Sequence, residues 1–282
     1  VSIAEWNSKP PTATDDRHFG AWFADLAARL LNATDLLIDG KPYRFAELEA
    51  YYYGEGHPDP FTHRDPLQYQ NGRWYFHRTG GEYRSGSFKG VDLTFGDGGA
   101  MFGVLVRTIV AADGTVIDGP SLTVDHILSL TGTPDVPTLD DRIAGRRVWD
   151  ESSPLAVRES AAPRTQTVYR TARVGLSLKR SRKGRTDTPM YLMRPYRFLT
   201  EPRGIGKGKP QLVCALHQGG LDAATITGLT GTPRKTVERY VSDFEAGKQE
   251  ASFDAYFGVD LGPAGVCKLL GAWTAKYGST GV

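Results

Sequence analysis

Apolar and polar residues alternate most regularly between Phe45 and Tyr51. Phe45, Glu47, Glu49 and Tyr51 interleave with Ala46, Leu48 and Ala50, a period of two that predicts a strand with one apolar face. The other face carries two carboxylates and runs into Tyr51-Tyr52-Tyr53. A solvated face would mix Lys and Thr with its acids, so this one is expected to wall a pocket. Residues 54–60 (GEGHPDP) are turn-rich and predicted to be irregular, bringing His57 and His63 back towards the strand end. Before this strand, residues 18–32 have helical spacing at Trp22, Leu26, Leu30 and Leu31, and Leu36-Leu37-Ile38 is a short strand closed by an Asp39-Gly40 hairpin turn. After it come predicted strands over residues 70–78, 91–95 and 102–110, the last carrying a single charge, Arg107. Residues 121–131 read as a helix ended by Gly132, and residues 133–164, rich in Pro, Asp and Ser, as connection. Residues 167–178 and 190–199 have β patterns.

From Gln211 onward the pattern is helical. One helix covers 211–218, and a second runs to Thr230 with Asp222 as its cap. After Gly231, Thr232 is expected to cap a third whose first residue is Pro233. Val237, Tyr240, Val241 and Phe244 share one face of that third helix, with Arg234, Lys235 and Arg239 on the other. This is the pattern of a helix-turn-helix DNA-binding module, although the same three-helix arrangement also serves for packing or dimerisation. Another apolar helix is expected over 263–277. With residues 204–210 as linker, the predicted domains are 1–209 and 210–282.

Composition adds little to the class and much to the partner. The 282 residues have a globular apolar content and no apolar run of membrane-spanning length. The first six residues lack the basic start and apolar run of a signal peptide. Two isolated cysteines, Cys214 and Cys267, make neither a metal site nor a disulfide framework and suit a reducing cytoplasm. Net charge is +2, but residues 163–209 hold thirteen Lys/Arg against only Asp187 and Glu201. A solvated basic loop would interleave acids, so a phosphate-binding surface is the favoured reading. Its densest part is Lys179, Arg180, Arg182, Lys183 and Arg185.

The first 200 or so residues resemble the alkyladenine (3-methyladenine) DNA glycosylases, the methylpurine glycosylase group without a helix-hairpin-helix. The resemblance lies in the order of pieces. A Leu-rich helix and a strand hairpin precede Glu47-Leu48-Glu49-Ala50-Tyr51, and His63-Arg64 and an aromatic strand pair follow. Val104-Leu105-Val106-Arg107 and Arg194-Pro195-Tyr196-Arg197-Phe198 complete the series. The resemblance implies an α+β fold, a curved mixed antiparallel sheet with flanking helices, followed here by the small all-α domain. It implies an enzyme that binds double-stranded DNA, flips out a modified base and hydrolyses its N-glycosidic bond, with no metal, no cofactor and no covalent intermediate. The expected setting is the cytoplasm, at the bacterial nucleoid. Carried over by position, Glu49 is the general base for water and Arg107 its partner. Tyr51 and His63 belong to the base sandwich, and Tyr83 supplies another aromatic wall.

Three departures bear on the substrate. Ser85 stands nearest the family's bulky intercalating tyrosine, which leaves Arg84 or Phe88 to act as the wedge. The family's pocket asparagine is Asp92, an acceptor-only side chain expected to favour bases that bring donors. The loop between Glu49 and His63 is longer than usual. These motivate an alternative, a glycosylase for a bulky hypermodified base such as a decorated phage cytosine in host defence. A further alternative is a non-catalytic DNA-binding regulator on the same fold.

The chemistry suits these residues. A carboxylate beside the sugar stabilises an oxocarbenium-like state and takes a proton from water, and an arginine nearby keeps it ionised. The bland counterpart is a structural Glu49–Arg107 pair between neighbouring strands. His57 reads as structural. A metal site from His57, His63, Asp59 and Asp65 is disfavoured by the loop's prolines and the absence of a nearby thiol. Lys89 could in principle form a Schiff base, but a phosphate contact is its better use. For Asp92 the bland reading is pairing with Lys89 or Arg84.

Overall fold

The structure is a computed structural model that describes residues 16–181 and 187–278. Its described residues divide into two compact units, one of 16–58 together with 62–168, the other of 59–61 together with the described residues between 169 and 278. The compositional boundary at 209/210 falls inside the second unit.

The first unit begins with α1 (Asp16–Ala33), which leads into the hairpin of β1 (Thr34–Ile38) and β2 (Lys41–Gly54). Asp39 and Gly40, at φ 48° and 74°, both take the left-handed conformation that a two-residue hairpin with the right twist requires. β2 turns back into β3 (His57–Pro58), where Gly54 pairs with His57 across Glu55-Gly56. This short hairpin corrects the irregular loop expected there: Gly56, at φ 76°, makes the tight turn, and Pro58 sits at the strand end. Then come β4 (Asn71–Phe76), the small ribbon of β5 (Arg78–Thr79) and β6 (Glu82–Tyr83), β7 (Val91–Phe95), β8 (Met101–Ala111) and β9 (Val116–Asp118). Helices α2 (Pro120–Thr131) and α3 (Val136–Ile143) precede β10 (Leu155–Glu159). The last two elements lie in the stretch read as connection. Asp135, followed by Val136-Pro137, is a helix cap whose side chain accepts from Thr138 N–H at 2.9 Å, and β10 forms because β1 offers it a partner.

The sheet of this unit runs β10-β1-β2-β8-β7-β4, antiparallel throughout and strongly curled. Its ladders shift register around Glu47 and between Asn71 and Trp74, as bulges that sharpen the bend. Pairing fixes what each face carries. Leu48, Ala50 and Tyr52 of β2 lie beside Val106, Val104 and Phe102 of β8, and Leu93 beside Val104 and Trp74. This is the apolar face. Helix α1 covers it with Phe19, Trp22 and Phe23, whose rings lie 4.9–5.2 Å from Tyr52 or Phe102. His57 stacks on Phe19 at 4.7 Å inside this core. Each buried aromatic contributes about 1.5–3 kcal/mol, so α1 is held by packing rather than by its own propensity.

The second unit holds the ribbon of β11 (Tyr169–Thr171) and β12 (Arg197–Leu199), with α4 (Asp187–Leu192) between them. Met190-Tyr191-Leu192 is therefore helical where a strand was expected; a short continuous apolar run has no period that separates a strand from a buried helix. Four helices follow: α5 (Lys209–Gln218), α6 (Ala223–Thr230), α7 (Arg234–Gly247) and α8 (Pro263–Tyr277). Asp222 caps α6, accepting from Thr225 N–H at 2.8 Å. Thr232 does not cap α7; Pro233 occupies that position, with no side-chain cap bond. Leu212, Leu216, Ile226, Val237, Phe244, Leu270 and Trp273 form the core. A Cβ on Gly247 or Gly271 would strike the facing helix backbone, so these two glycines let α7 and α8 touch. Asp59 joins this unit through a fully buried ion pair with Arg173 at 2.6 Å.

Candidate active site

The face of the sheet opposite the α1 core is polar, and register defines it. Glu49 lies beside Leu105, Leu105 beside Asp92, and Asp92 beside Tyr75, one row across four strands. Glu47 and Tyr51 flank Glu49 on β2, and Gly103 and Arg107 flank Leu105 on β8.

At one end of this row two carboxylates share one guanidinium. Glu47 accepts from Arg107 Nε at 2.8 Å and Glu49 faces Arg107 Nη1 at 3.4 Å; both acids are fully buried and Arg107 is 6% exposed. Tyr51 O–H donates to Glu49 Oε2 at 2.8 Å. The second oxygen of Glu47 lies 2.7 Å from the Thr108 hydroxyl, which is 3.1 Å from Asp118. Burial alone would lower the Arg107 pKa, but Glu49, Glu47 and Tyr51 outweigh it and hold the guanidinium above the ordinary arginine value. Arg107 is thus a fixed positive charge between two acids. Sequence reasoning placed Glu49, Arg107 and Tyr51 together, and the structure does bring them together. It missed Glu47 and Thr108 as partners, although the spacing of Glu47 and Glu49 put both acids on one face.

The other end of the row is a histidine cluster. Asp92 is 2% exposed and both of its oxygens are engaged: Oδ1 lies 2.7 Å from His77 Nε2, and Oδ2 accepts from Gln68 Nε2 at 3.0 Å. Gln68 is oriented by Asp65 N–H, which donates to its Oε1 at 3.2 Å. Asp92 pairs with neither Lys89 nor Arg84. Lys89 lies 2.7 Å from Asp125, and Arg84 Nε donates to Thr79 at 2.9 Å. The expectation that Asp92 itself reads a base therefore gives way to Asp92 as the holder of His77. A Cβ at residue 103 would lie 2.5 Å from Asp92 Oδ2, so Gly103 makes room for this carboxylate.

His63 stands next to His77, ring to ring at 4.4 Å, and its Nδ1 is 3.0 Å from Tyr75 O–H. The Tyr75 oxygen accepts from Arg78 N–H at 3.3 Å. Its own hydrogen then goes to His63 Nδ1, which leaves the His63 proton on Nε2. Desolvation, with His77 next, pushes the His63 pKa down to about 4, and desolvation pushes Tyr75 up to about 12; both are neutral near pH 7. Tyr83 is not in this cluster. Its phenol is 2.7 Å from Asp140 and its ring lies 4.4 Å beneath the Arg78 guanidinium, so Tyr75 is the aromatic residue the row supplies instead. Among the described residues no three His, Cys, Asp or Glu side chains converge as a metal site would need.

No protein-family model matches the sequence. It is 30% identical over 175 residues to "Uncharacterized protein L759" of Acanthamoeba polyphaga mimivirus, an alignment covering 56% of this chain and 80% of the viral one. The chain belongs to the L759 family.

The remaining expected site residues of this L759-family chain lie at the surface. Phe88 is 73% exposed on a short 3-10 turn (Gly86–Phe88) that Ser121 pins by donating to Gly86 C=O at 2.8 Å. That turn adjoins the histidine cluster through Gly90, whose carbonyl accepts from His77 N–H at 2.9 Å. Arg180 is exposed, and Lys179 is paired with Asp260. Arg182, Lys183 and Arg185 lie outside the described residues. Arg234, Lys235 and Arg239 are exposed on one side of α7, with Arg234 Nε donating to Glu238 at 2.9 Å. No described helix is long and apolar enough to cross a membrane.

Proposed function

We propose that this chain is a DNA N-glycosylase that takes a modified base out of duplex DNA and hydrolyses its N-glycosidic bond to leave an abasic site. One observation carries the reading: a fully buried carboxylate, Glu49, held by Tyr51 O–H and Arg107 on the same sheet face as the Asp92–His77–His63 cluster. Burying a charge is costly unless it is held by partners, and a fold tends to keep such an arrangement where it is used. In this reading Glu49 takes the proton of the attacking water while its charge stabilises the oxocarbenium-like sugar. Arg107 keeps Glu49 ionised, and Tyr51 fixes the carboxylate plane. The exposed His63 ring offers a flat surface for an extrahelical base. Phe88 is the exposed apolar side chain available to fill the gap in the duplex. Arg84, Lys89, Arg180 and the basic face of α7 are the candidate phosphate contacts.

The test is release of base from duplex oligonucleotides, each carrying one modified purine or cytosine, read as strand cleavage by alkali at the abasic site. The wild-type chain should convert at least one of these duplexes, and Glu49→Gln should bind that duplex without converting it. Tight binding with no conversion of any duplex by the wild type would make the chain a DNA-binding protein without this activity.

A further inference from the structure

We propose that α6 and α7 read the sequence of unmodified duplex DNA, with the first turns of α7 in the major groove and Arg234 on a base edge. This goes beyond attachment to phosphates. It also stands without the glycosylase reading, because every residue it uses lies in the second unit. Only Gly231, Thr232 and Pro233 separate the two helices. Gly231, at φ 67°, ends α6 with its N–H on Thr227 C=O at 2.9 Å, and Pro233, at φ −55° and ψ 138°, starts α7 in a new direction. The connection is held from both sides. Thr230 Oγ1 accepts from Thr232 N–H at 3.1 Å, Lys209 Nζ donates to Thr230 C=O at 2.6 Å, and Arg203 Nη2 donates to Gly228 C=O at 3.2 Å. So short and bonded a turn presents α7 at a fixed angle to α6, as a helix-turn-helix requires.

Burial decides which way α7 faces. Ile226, Thr230 and Thr232 are buried, and so are Val237, Tyr240 and Phe244, the last three at i, i+3 and i+7 on one face of α7. The opposite stripe, Arg234, Lys235, Glu238, Arg239 and Ser242, is exposed. A helix placed for packing or dimerisation would carry apolar residues on that outer stripe, and none of these five is apolar. Its charge suits a polyanion. Three of the four charged residues are basic, and the other acids of α7, Asp243 and Glu245, lie in its second half, where Glu245 is taken up by His217 and Lys248. α6 itself carries no charged side chain, and Asp222 before it turns its carboxylate onto Thr225 N–H. Nothing along α6 therefore repels a phosphate strand that it crosses.

Arg234 and Glu238 are the pair that discriminates. Arg234 is 68% exposed and engages only through Nε, which donates to Glu238 at 2.9 Å. Both of its Nη groups make no hydrogen bond among the described residues. The pair thus offers a two-pronged donor with a carboxylate acceptor one helical turn further on. In the major groove guanine presents O6 and N7, two acceptors that an arginine fork matches, and cytosine presents N4–H, a donor that a glutamate accepts. The base pair this surface suits is G·C. Lys235 and Arg239 flank that pair on the same stripe and suit the backbone phosphates.

The experiment is selection by the full chain from a pool of unmodified duplexes with a randomised centre, followed by affinity measurements on the enriched duplex. Selection should enrich a short sequence with a G·C pair at a fixed position, and replacing that pair by A·T should weaken wild-type binding by about 10-fold or more. Arg234→Lys keeps the charge at an exposed position but loses the fork. It should leave the salt dependence of binding unchanged and hold the G·C and A·T duplexes within about 3-fold of each other. Lys235→Ala and Arg239→Ala should instead weaken binding to every sequence alike and lower the salt slope. No enrichment by the wild type would overturn the proposal, and so would a G·C preference that survives Arg234→Lys. Self-association of the chain without sequence preference would overturn it as well, making the unit a dimer module. Base release from modified duplexes is a separate measurement, so the glycosylase reading stands or falls independently of these results.

Discussion

Two buried carboxylates flank Arg107, and only one is assigned as the base, so removing each charge in turn tests the assignment sharply. Glu47→Gln and Glu49→Gln are chemically the same change, two residues apart on one strand. Glu47 is fully committed: one oxygen accepts from Arg107 Nε at 2.8 Å and the other lies 2.7 Å from the Thr108 hydroxyl. A glutamine there can still accept from Arg107 through Oε1 and donate to the Thr108 oxygen. It loses a charge-assisted bond, about 1.5–3 kcal/mol of stability, but no group that meets water. Glu49 has a firm bond to Tyr51 at 2.8 Å and a longer approach to Arg107 at 3.4 Å, and a carboxylate oxygen accepts more than one hydrogen bond. In the proposed reaction Glu49 takes the proton of the attacking water, and glutamine cannot. Losing a proton-transfer catalyst costs ~10²–10⁴-fold, or about 3–5.5 kcal/mol of barrier.

Glu49→Gln should therefore fall by that factor in single-turnover base release with DNA affinity retained. Glu47→Gln should lose less than about 10-fold in rate and show its effect in a lower midpoint of urea unfolding. The two variants are compared on the same duplex, below the unfolding transition of each. Equal rate loss in both would mean that the Arg107 cluster acts as a structural unit and that Glu49 has no separate chemical role. Loss confined to Glu47→Gln would move the base to Glu47.

Other outcomes follow from particular side chains. Asp59→Ala should lower stability by about 3–5 kcal/mol in urea unfolding, because it removes the carboxylate that balances the fully buried Arg173 charge, while Arg173→Met should cost less by removing the charge itself. Gly103→Ala should cost about 1–3 kcal/mol, since its Cβ meets Asp92 Oδ2 and Gln68, and Gln68→Ala in the same chain should restore part of it. His63 binds fewer protons folded than unfolded between its lowered pKa of about 4 and the ordinary 6.5, so its share of stability is present above 6.5 and is lost as pH falls towards 4. His63→Gln should flatten unfolding free energy against pH in that window, and an unchanged slope would refute the burial argument. Replacing Arg234, Lys235 and Arg239 together should lower the slope of log K against log salt for duplex DNA by about 0.9 for each phosphate no longer neutralised, whereas an unchanged slope would mean that α7 does not face DNA.

Much of the sheet was legible because its signal is local. The period of two around Glu49, the Asp39-Gly40 turn and the β-branched run to Val110 each report a strand or its turn without reference to anything distant. β10 was hidden for the opposite reason. β10 has no alternation to announce it, and only its pairing with β1, more than 100 residues earlier, makes it a strand. The helix expected over 263–277 matches α8 (Pro263–Tyr277), where a proline start and sustained apolar spacing coincide. Thr232 looked like a cap because it precedes Pro233, but capping needs a backbone angle as well as a hydroxyl, and the cap position falls on Pro233 itself.

The site shows where a sequence stops being sufficient. Period two tells which residues of one strand share a face, so it groups Glu47, Glu49 and Tyr51 correctly by itself. It says nothing about which residue of the next strand stands opposite. The register Glu49–Leu105–Asp92–Tyr75 turns four separate strands into one row, and a one-residue slip of β7 against β8 would have sent Asp92 into the α1 core. Only that register, with Gln68 arriving from the capped turn at Asp65, gives Asp92 its two partners and gives His77 its direction. A carboxylate read alone is an acceptor waiting for a donor on the substrate. Read with its neighbours, it already has Gln68 and His77 as partners, and its part in the row is to fix the direction of the imidazole.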